Sequence, residues 1–247
     1  SPGDVVYHGG TMHTYGETGF ASIQAAIDAA NDGDTIVVTP GAYMEDIILN
    51  KNLTLIGGST NAADVVVYSI DELNGYAMTI MGAEVTIENM QFANAWTAIH
   101  YVGENDVTTL NLNNVQMFGS DFGMRMSGGD ALLTGCLVEG NGYGVEITGG
   151  VATITQSQFI ANIVGVYVEA GGSARIVDNP LGIAGSSLAG VNCWGGTLLL
   201  ENTNMNDNAN GLIIADGFGG NGPVVDLGQL PGGANDFTGL GVSTGGN

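Results

Sequence analysis

Residues 123–150 read GMRMSGGDALLTGCLVEGNGYGVEITGG. This stretch contains the same pattern twice, 21 residues apart. Each copy has a glycine, then an apolar, a polar and a second apolar residue, and a glycine pair shortly afterwards. The four-residue pattern recurs along the chain as AMTI at 77, AIHY at 98, GMRM at 123, GVEI at 144, GVYV at 165, GVNC at 190 and GLII at 211. Most copies follow a Ser or Asn by three residues, at 120, 141, 162, 187 and 208. Three landmarks in one phase indicate an internal repeat.

Each repeat has room only for short strands of period two, separated by Gly, Asn and Ser turns. Such a unit cannot bury its apolar face alone, so the repeats must stack into an all-β parallel β-helix solenoid, with roughly nine to ten coils in this chain. Antiparallel hairpins are the alternative, but the tight two-residue loops they need are missing. The alternation predicts an inward column: Met124, Met126, Val145, Ile147, Val166, Val168, Val191, Cys193, Leu212 and Ile214.

The first third of the chain has a different pattern. Residues 20–31, FASIQAAIDAAN, carry apolar residues at helical spacing. The stretch 22–58, SIQAAIDAANDGDTIVVTPGAYMEDIILNKNLTLIGG, resembles the opening of pectin-lyase-like right-handed parallel β-helix proteins of bacterial surfaces. The resemblance implies a right-handed solenoid whose N-terminal end is plugged by an amphipathic α-helix. It leaves function open, because that fold carries lyases, hydrolases, epimerases, adhesins and inert stalks.

We therefore divide a single domain into three parts. Residues 1–34 form an N-terminal segment with the capping helix, 35–222 form the β-helix coils, and 223–247 form a glycine-rich closing segment. Residues 224–237, VVDLGQLPGGANDF, resemble the closing coils of bacterial surface β-helix proteins. This end is interpreted as a thin loop cap, as the truncation of a longer protein, or as a surface that docks another subunit.

The charge balance excludes whole classes of partner. The chain holds 25 Asp and Glu against 3 Lys and Arg, for a net charge of −22. Nucleic acid and anionic membrane surfaces are excluded because both need clustered bases. No run of 18 apolar residues predicts membrane insertion. A tight solenoid with so few tryptic sites favours a secreted, extracellular or cell-surface location.

One outward face of the solenoid carries the candidate site. A central column places Arg125 and Glu146 on neighbouring coils, and Glu169 lies two positions further along its own strand. If the chain is an enzyme, these three are the candidate catalytic residues, because paired carboxylates and a cation can carry acid–base chemistry. The candidate ligand-binding residues on this face are His100, Tyr167, Asn192 and Trp194. The alternative is an exposed charge ladder with sheet-forming aromatics.

The turns that follow the outward strand suggest a metal site. Glu104, Asp106 and Asp130 are expected about one coil apart, and such hard oxygen ligands suit Ca²⁺. No calcium-loop spacing is complete, so solvated turn acids are the alternative. Cys136 and Cys193 lie about two coils apart, beyond the reach of a disulfide, and are expected to be buried thiols.

The leading hypothesis from sequence is a non-catalytic extracellular or cell-surface β-helix that acts as a structural, adhesive or self-assembling module, with Ca²⁺ as the candidate cofactor. The alternative is a polysaccharide-active lyase or hydrolase, or a carbohydrate-binding module, that uses the outward strand ladder. The expected partners are polysaccharide, or other subunits of the same protein through the solenoid ends.

Overall fold

The structure, a computed structural model, describes residues 5–8, 11–14, 20, 22–104, 108–217, 222–227 and 241–244. These residues form a parallel β-helix of about eight coils with little helix. Strands of successive coils pair in parallel along three faces, which confirms the solenoid over the hairpin alternative. The coil number is slightly below the nine to ten expected.

The three faces are named in the order in which the chain visits them. Sheet 1 contains Thr35–Val38, Leu53–Gly57, Val85–Glu88, Thr109–Asn113, the second halves of Phe122–Thr134 and Tyr143–Thr155, Gly172–Asn179, Thr197–Thr203 and Val224–Asp226. Sheet 2 has seven strands: Gly41–Met44, Val65–Tyr68, Gln91–Ala93, Gln116–Phe118, Leu137–Glu139, Gln158–Ile160 and Ile183–Ala184. Sheet 3 contains Ile47–Leu49, Tyr76–Met81, Thr97–Val102, the first halves of the two long strands, Val164–Glu169, Ala189–Trp194, Asn210–Ala215 and Gly241–Thr244.

Elements outside these sheets lie mainly near the N-terminus. Val5–His8 and Thr11–Thr14 form an antiparallel hairpin. The α-helix is Ile23–Ala29, and a single 3₁₀ turn covers Ala62–Asp64. No helix in the described ranges is long and apolar enough to cross a membrane.

The glycines of the repeat are needed where coils pass close to each other. Gly150 has φ +79°, and a Cβ there would lie 2.1 Å from the carbonyl oxygen of Gly129 on the preceding coil. A Cβ on Gly144, at the small position of the motif, would lie 2.4 Å from the carbonyl oxygen of Gly165. Only a very small residue fits at such contacts, which explains two of the sequence landmarks.

The core confirms the predicted strand parity. Nine of the ten predicted inward side chains are at most 2% exposed. The exception, Ile214, is half-buried and packs against the core near the C-terminal end. Cys136 and Cys193 are both buried and free, as expected. Burial raises the pKa of the Cys136 thiol to about 11, so this thiol is unreactive at neutral pH.

A buried ladder of Ser and Asn side chains joins successive coils at the turn between sheets 2 and 3. Asn141 is typical: its backbone N–H donates to Asn162 Oδ1 at 3.0 Å, and its Nδ2 donates to the Met117 carbonyl at 3.0 Å. The predicted position of the Ser or Asn that precedes the motif is wrong by one residue in one coil. Ser187 is exposed, whereas the backbone N–H of Ser186 donates to Asn208 Oδ1 at 2.9 Å. That coil is 25 residues long, and its extra residues shift the phase.

The N-terminal helix is held at both ends by side chains of one coil. The Glu45 carboxylate accepts hydrogen bonds from the first backbone N–H groups of the helix, those of Ile23 and Gln24, both at 3.0 Å. The Lys51 ammonium donates to three carbonyls at the C-terminal end, at 2.8–2.9 Å. An anion at the N-terminus and a cation at the C-terminus both complement the helix dipole.

The helix also closes the edge of sheet 3. The backbone N–H of Ile48 donates to Gln24 Oε1 at 2.7 Å, and Gln24 Nε2 donates to the Ile48 carbonyl at 3.1 Å. The side-chain amide thus takes the place of a neighbouring strand, which satisfies an edge that would otherwise be open to pairing. At the other end, Val224–Asp226 and Gly241–Thr244 continue sheets 1 and 3. Most of the predicted closing segment lies outside the described residues, and the three domain boundaries stay predictions.

Candidate functional site

The outward face of sheet 3, called here the sheet 3 face, brings the candidate residues together in strict register. Cα pairing places His100 beside Arg125, Arg125 beside Glu146, Glu146 beside Tyr167 and Tyr167 beside Asn192. Glu169 pairs with Trp194 two positions further along the same strands. The alternation of the strand turns all of these side chains away from the core.

Arg125 and Glu146 form the electrostatic centre of this face. The Arg125 Nε donates to Glu146 Oε2 in a short ion pair. The guanidinium carbon also lies 4.4 Å from the Phe122 ring centroid and 5.2 Å from that of Trp96, within cation–π distance. The arginine is thus held on three sides, and its position is fixed before any ligand arrives.

A row of aromatic rings flanks this pair and was missed by the sequence analysis. The aromatic row runs across successive coils with centroid separations of 5.2–5.6 Å, through Tyr76, Trp96, Phe122, Tyr143 and Tyr167. All five rings are half-buried, so one face or edge of each meets solvent. Tyr76, Phe122 and Tyr143 each lie three residues before a residue of the central column. This constant spacing is visible in the sequence.

The surroundings of Glu146 shift the pKa of its carboxyl. Glu146 is only 7% exposed, and this burial raises the pKa of its carboxyl above the ordinary value. The charge and hydrogen bond of Arg125 oppose that rise, while the negative charge of Glu169 adds to it. Glu146 and Glu169 are therefore two carboxyl groups on one face, and the burial of Glu146 is what raises its pKa.

The neighbouring titratable groups are shifted towards their neutral forms. Burial, and then the charge of Arg125, lower the pKa of His100, whose ring also stacks on Tyr76 at 4.8 Å. Burial and the charge of Glu169 raise the pKa of Tyr167 to about 12. At neutral pH the imidazole and the phenol are therefore uncharged hydrogen-bonding groups.

The face contains a cavity at its C-terminal end. Tyr167, Glu169, Ala170 and Trp194 line a volume of about 200 Å³. Next to it, the buried Asn192 Oδ1 has no hydrogen-bond partner among the described residues. An aromatic wall, a carboxylate and an unused acceptor are the groups that hold sugar hydroxyls and ring faces.

The predicted metal ligands are only partly described. Glu104 and Asp130 are exposed at the corner between sheets 3 and 1, and Asp130 pairs with Thr109 of the coil that contains Glu104. Asp106 lies outside the described residues. Within the part of the chain that the structure describes, no group of three or more His, Cys, Asp or Glu side chains could hold a metal ion. The Ca²⁺ site stays a prediction.

Stacked parallel coils with an N-terminal helical cap define a right-handed parallel β-helix protein. The model of one family, described as the right handed beta helix region, matches residues 46–181, more than half of the chain. The chain therefore belongs to this right-handed β-helix family. No curated protein matches the chain by sequence.

Several solved structures share the fold. Pectin methylesterase PemA from Erwinia chrysanthemi is 12% identical, with a TM-score of 0.51 over 90% of this chain and 90% of that chain. YbhC from Escherichia coli is 14% identical, with a TM-score of 0.50 over 86% of this chain and 72% of that chain. The rice weevil pectin methyl esterase is 16% identical, with a TM-score of 0.47 over 79% and 73%. At these identities the likeness concerns the fold alone.

Proposed function

We propose that this protein is active on polysaccharides: its sheet 3 face binds a glycan chain that runs along the solenoid axis and hydrolyses a glycosidic bond. The observation that carries the proposal is Glu146, a carboxyl with a raised pKa that lies beside Glu169 in the middle of the aromatic row. That a structurally similar protein is named a pectin methylesterase is compatible with a polysaccharide substrate.

Binding in this proposal comes from the aromatic row and the cavity beside it. Rings on successive coils repeat at 5.2–5.6 Å, so a chain lying along the axis meets a new ring at each coil. Apolar ring faces stack on sugar rings, while Asn192 and Glu169 take hydroxyl groups.

The acid–base roles follow from the two environments. Glu146, whose pKa is raised by burial, protonates the leaving oxygen when it carries a proton, and Glu169 activates a water molecule. Their backbone positions differ by one coil and two residues, or roughly 8 Å from the standard strand spacing and rise. We therefore assign the inverting mechanism, in which the two carboxyl groups stand roughly 6.5–9.5 Å apart with a water molecule between them. Arg125 positions Glu146, and a guanidinium paired with a carboxylate is too poor a base to favour the lyase alternative.

A screen of polysaccharides for new reducing ends and for unsaturated products tests the proposal. We expect reducing ends without unsaturation, and a loss of turnover of about 100-fold or more in Glu146→Gln and in Glu169→Gln. Nuclear magnetic resonance of the first product should give the inverted anomer. Activity that survives both substitutions, or an unsaturated product, contradicts the assignment. Glu139→Gln, which removes a carboxylate from the outward side of sheet 2, is the matched control for the change of charge.

One observation favours a second candidate, a non-catalytic structural, adhesive or self-assembling module. Glu146 is 7% exposed and is already paired with Arg125, which suits a fixed ladder as well as a catalytic acid. In this role the protein acts outside the cell or at its surface, with Ca²⁺ held by Glu104, Asp106 and Asp130. Negative-stain microscopy with and without Ca²⁺ tests assembly, and monomeric particles in both conditions contradict it.

A further inference from the structure

The three basic residues of the chain have separate places in the fold. Lys51 holds the C-terminal end of the helix. Arg175 is exposed on sheet 1, paired in register with Thr153 and Leu199. Only Arg125 reaches the sheet 3 face, so a negatively charged ligand has one cation to meet there.

That cation is already compensated by the protein. Its Nε is bonded to the Glu146 carboxylate, and its flat surface lies over Phe122 and Trp96. His100 adds no charge, because burial and Arg125 keep its imidazole neutral at neutral pH. While Glu146 is ionised, the centre of the face therefore has no excess positive charge.

Both ends of the face are acidic. At the C-terminal end Glu169 lines the cavity of about 200 Å³. At the N-terminal end Asp46 and Asp71 line a cavity of about 350 Å³ together with Tyr76 and Thr79. A glycan lying along the aromatic row would thus pass carboxylates at each end and a neutralised pair in the middle. The net charge of −22 surrounds this local pattern with a field of the same sign.

We propose that the sheet 3 face selects its glycan by charge, accepting uncharged and amino-bearing chains and rejecting carboxylated ones. The inference rests on the proposed function, since it concerns the ligand of the same face. Placing like charges together in a partly desolvated groove costs binding energy, whereas aromatic stacking and hydroxyl hydrogen bonds need no charge on the ligand. An amino group gains from the same carboxylates that repel a uronate.

Three β-1,4-linked oligosaccharides of equal length, built from glucose, glucosamine or glucuronic acid, test this by calorimetry. At low salt we expect the glucosamine oligomer to bind most tightly and the glucuronic acid oligomer to bind at least about tenfold more weakly than the glucose oligomer. Raising the salt should bring the three affinities together, because screening acts on the charged ligands alone. A glucuronic acid oligomer that binds as tightly as the glucose oligomer overturns the inference.

Two variants with the same change of net charge locate the effect. Glu169→Gln removes a carboxylate from the face, whereas Glu139→Gln removes one from the outward side of sheet 2. We expect only Glu169→Gln to narrow the gap between the glucose and glucuronic acid oligomers. Equal effects of both variants would assign selection to the charge of the whole molecule and overturn the local claim. If none of the three oligomers binds, the inference about charge selection is overturned. The proposed function is tested separately, by the wider polysaccharide screen.

Discussion

The outward faces of sheets 2 and 3 are built by the same coils but use different chemistry. On sheet 2 one outward column is uncharged, with Val66, Gln91, Gln116, Leu137 and Gln158 on successive coils. On sheet 3 the central column contains titratable groups, from His100 to Arg125 to Glu146. Because the backbone spacing is the same on both sheets, stacking does not require charged side chains. We therefore expect a ligand on sheet 3 rather than on sheet 2.

The two faces also differ in how their charges are placed. Sheet 3 keeps an arginine and a glutamate half-buried or buried, where each depends on its partner. Removal of one member leaves the other charge without its partner in a partly desolvated place, which costs stability. Features that cost stability and are absent from the neighbouring face are expected where function needs them.

The largest expected effect comes from a substitution that forces neighbouring coils apart, because both faces depend on close coil stacking. Gly144→Ala places a Cβ 2.4 Å from a backbone carbonyl of the next coil, which cannot move without separating the coils. We expect a loss of about 3 kcal/mol or more in the free energy of unfolding, or failure to fold. Gly41→Ala is the control, because its Cβ would meet only the Tyr43 ring, at 3.5–3.6 Å. Similar denaturation midpoints for both variants would contradict close coil stacking.

A somewhat smaller effect separates the buried ladder from the exposed column of sheet 2. Asn141→Ala leaves the Met117 carbonyl without its donor and removes an acceptor from the ladder. We expect a loss of about 2 kcal/mol in urea denaturation. Gln158→Ala, on the outward side of sheet 2, should change stability by less than about 0.5 kcal/mol. An equal loss in both variants would show that the two columns contribute equally to the free energy of unfolding, which contradicts the prediction.

Measurements of glycan affinity distinguish the sheet 3 face from the outward face of sheet 2. Trp96→Ala and Tyr143→Ala each remove one ring of the aromatic row, and each should weaken binding about tenfold. Phe118→Ala is the matched control, because Phe118 is an aromatic residue on sheet 2 and is 45% exposed. Affinity is measured by calorimetry with an oligomer from the screen. Weaker binding by the Phe118 variant would place the ligand on the wrong face.

The smallest expected effect is a pH dependence carried by Glu146. Burial raises its folded-state pKa above the ordinary value of 4.5, so the folded protein binds this proton more tightly than the unfolded chain does. The resulting stabilisation is complete below about pH 4.5 and is lost as the pH rises through the folded-state pKa. The free energy of unfolding of the native protein, minus that of Glu146→Gln, should therefore fall between pH 4 and pH 7. A difference that grows with pH contradicts the direction of the shift.

The sequence was enough to predict the repeating features, namely the core positions and the stacking of coils. It did not reveal contacts between side chains of different coils. Period-two alternation was enough to assign Val145 and Ile147 to the core, and landmarks in one phase were enough to stack the coils. The sequence analysis identified Tyr167 but not the rest of the aromatic row, because Trp96 lies just before its strand and Tyr76, Phe122 and Tyr143 occupy strand starts, outside the columns that were followed. Ser186 was misassigned because two coils have four extra residues, and a fixed offset cannot locate an insertion. The hold of Glu45 and Lys51 on the helix depends on contacts more than 20 residues apart, which no local pattern reports.

The amide of Gln24, bonded to both polar groups of Ile48, has a consequence for the growth of the fold. New coils cannot be appended at that end without displacing the amide, so the solenoid lengthens only from within or beyond its far end. Each inserted repeat of 21 residues would bring one member of every column and extend the sheet 3 face by about 4.8 Å. Under the proposed function, the number of coils would then set the length of glycan that the face holds.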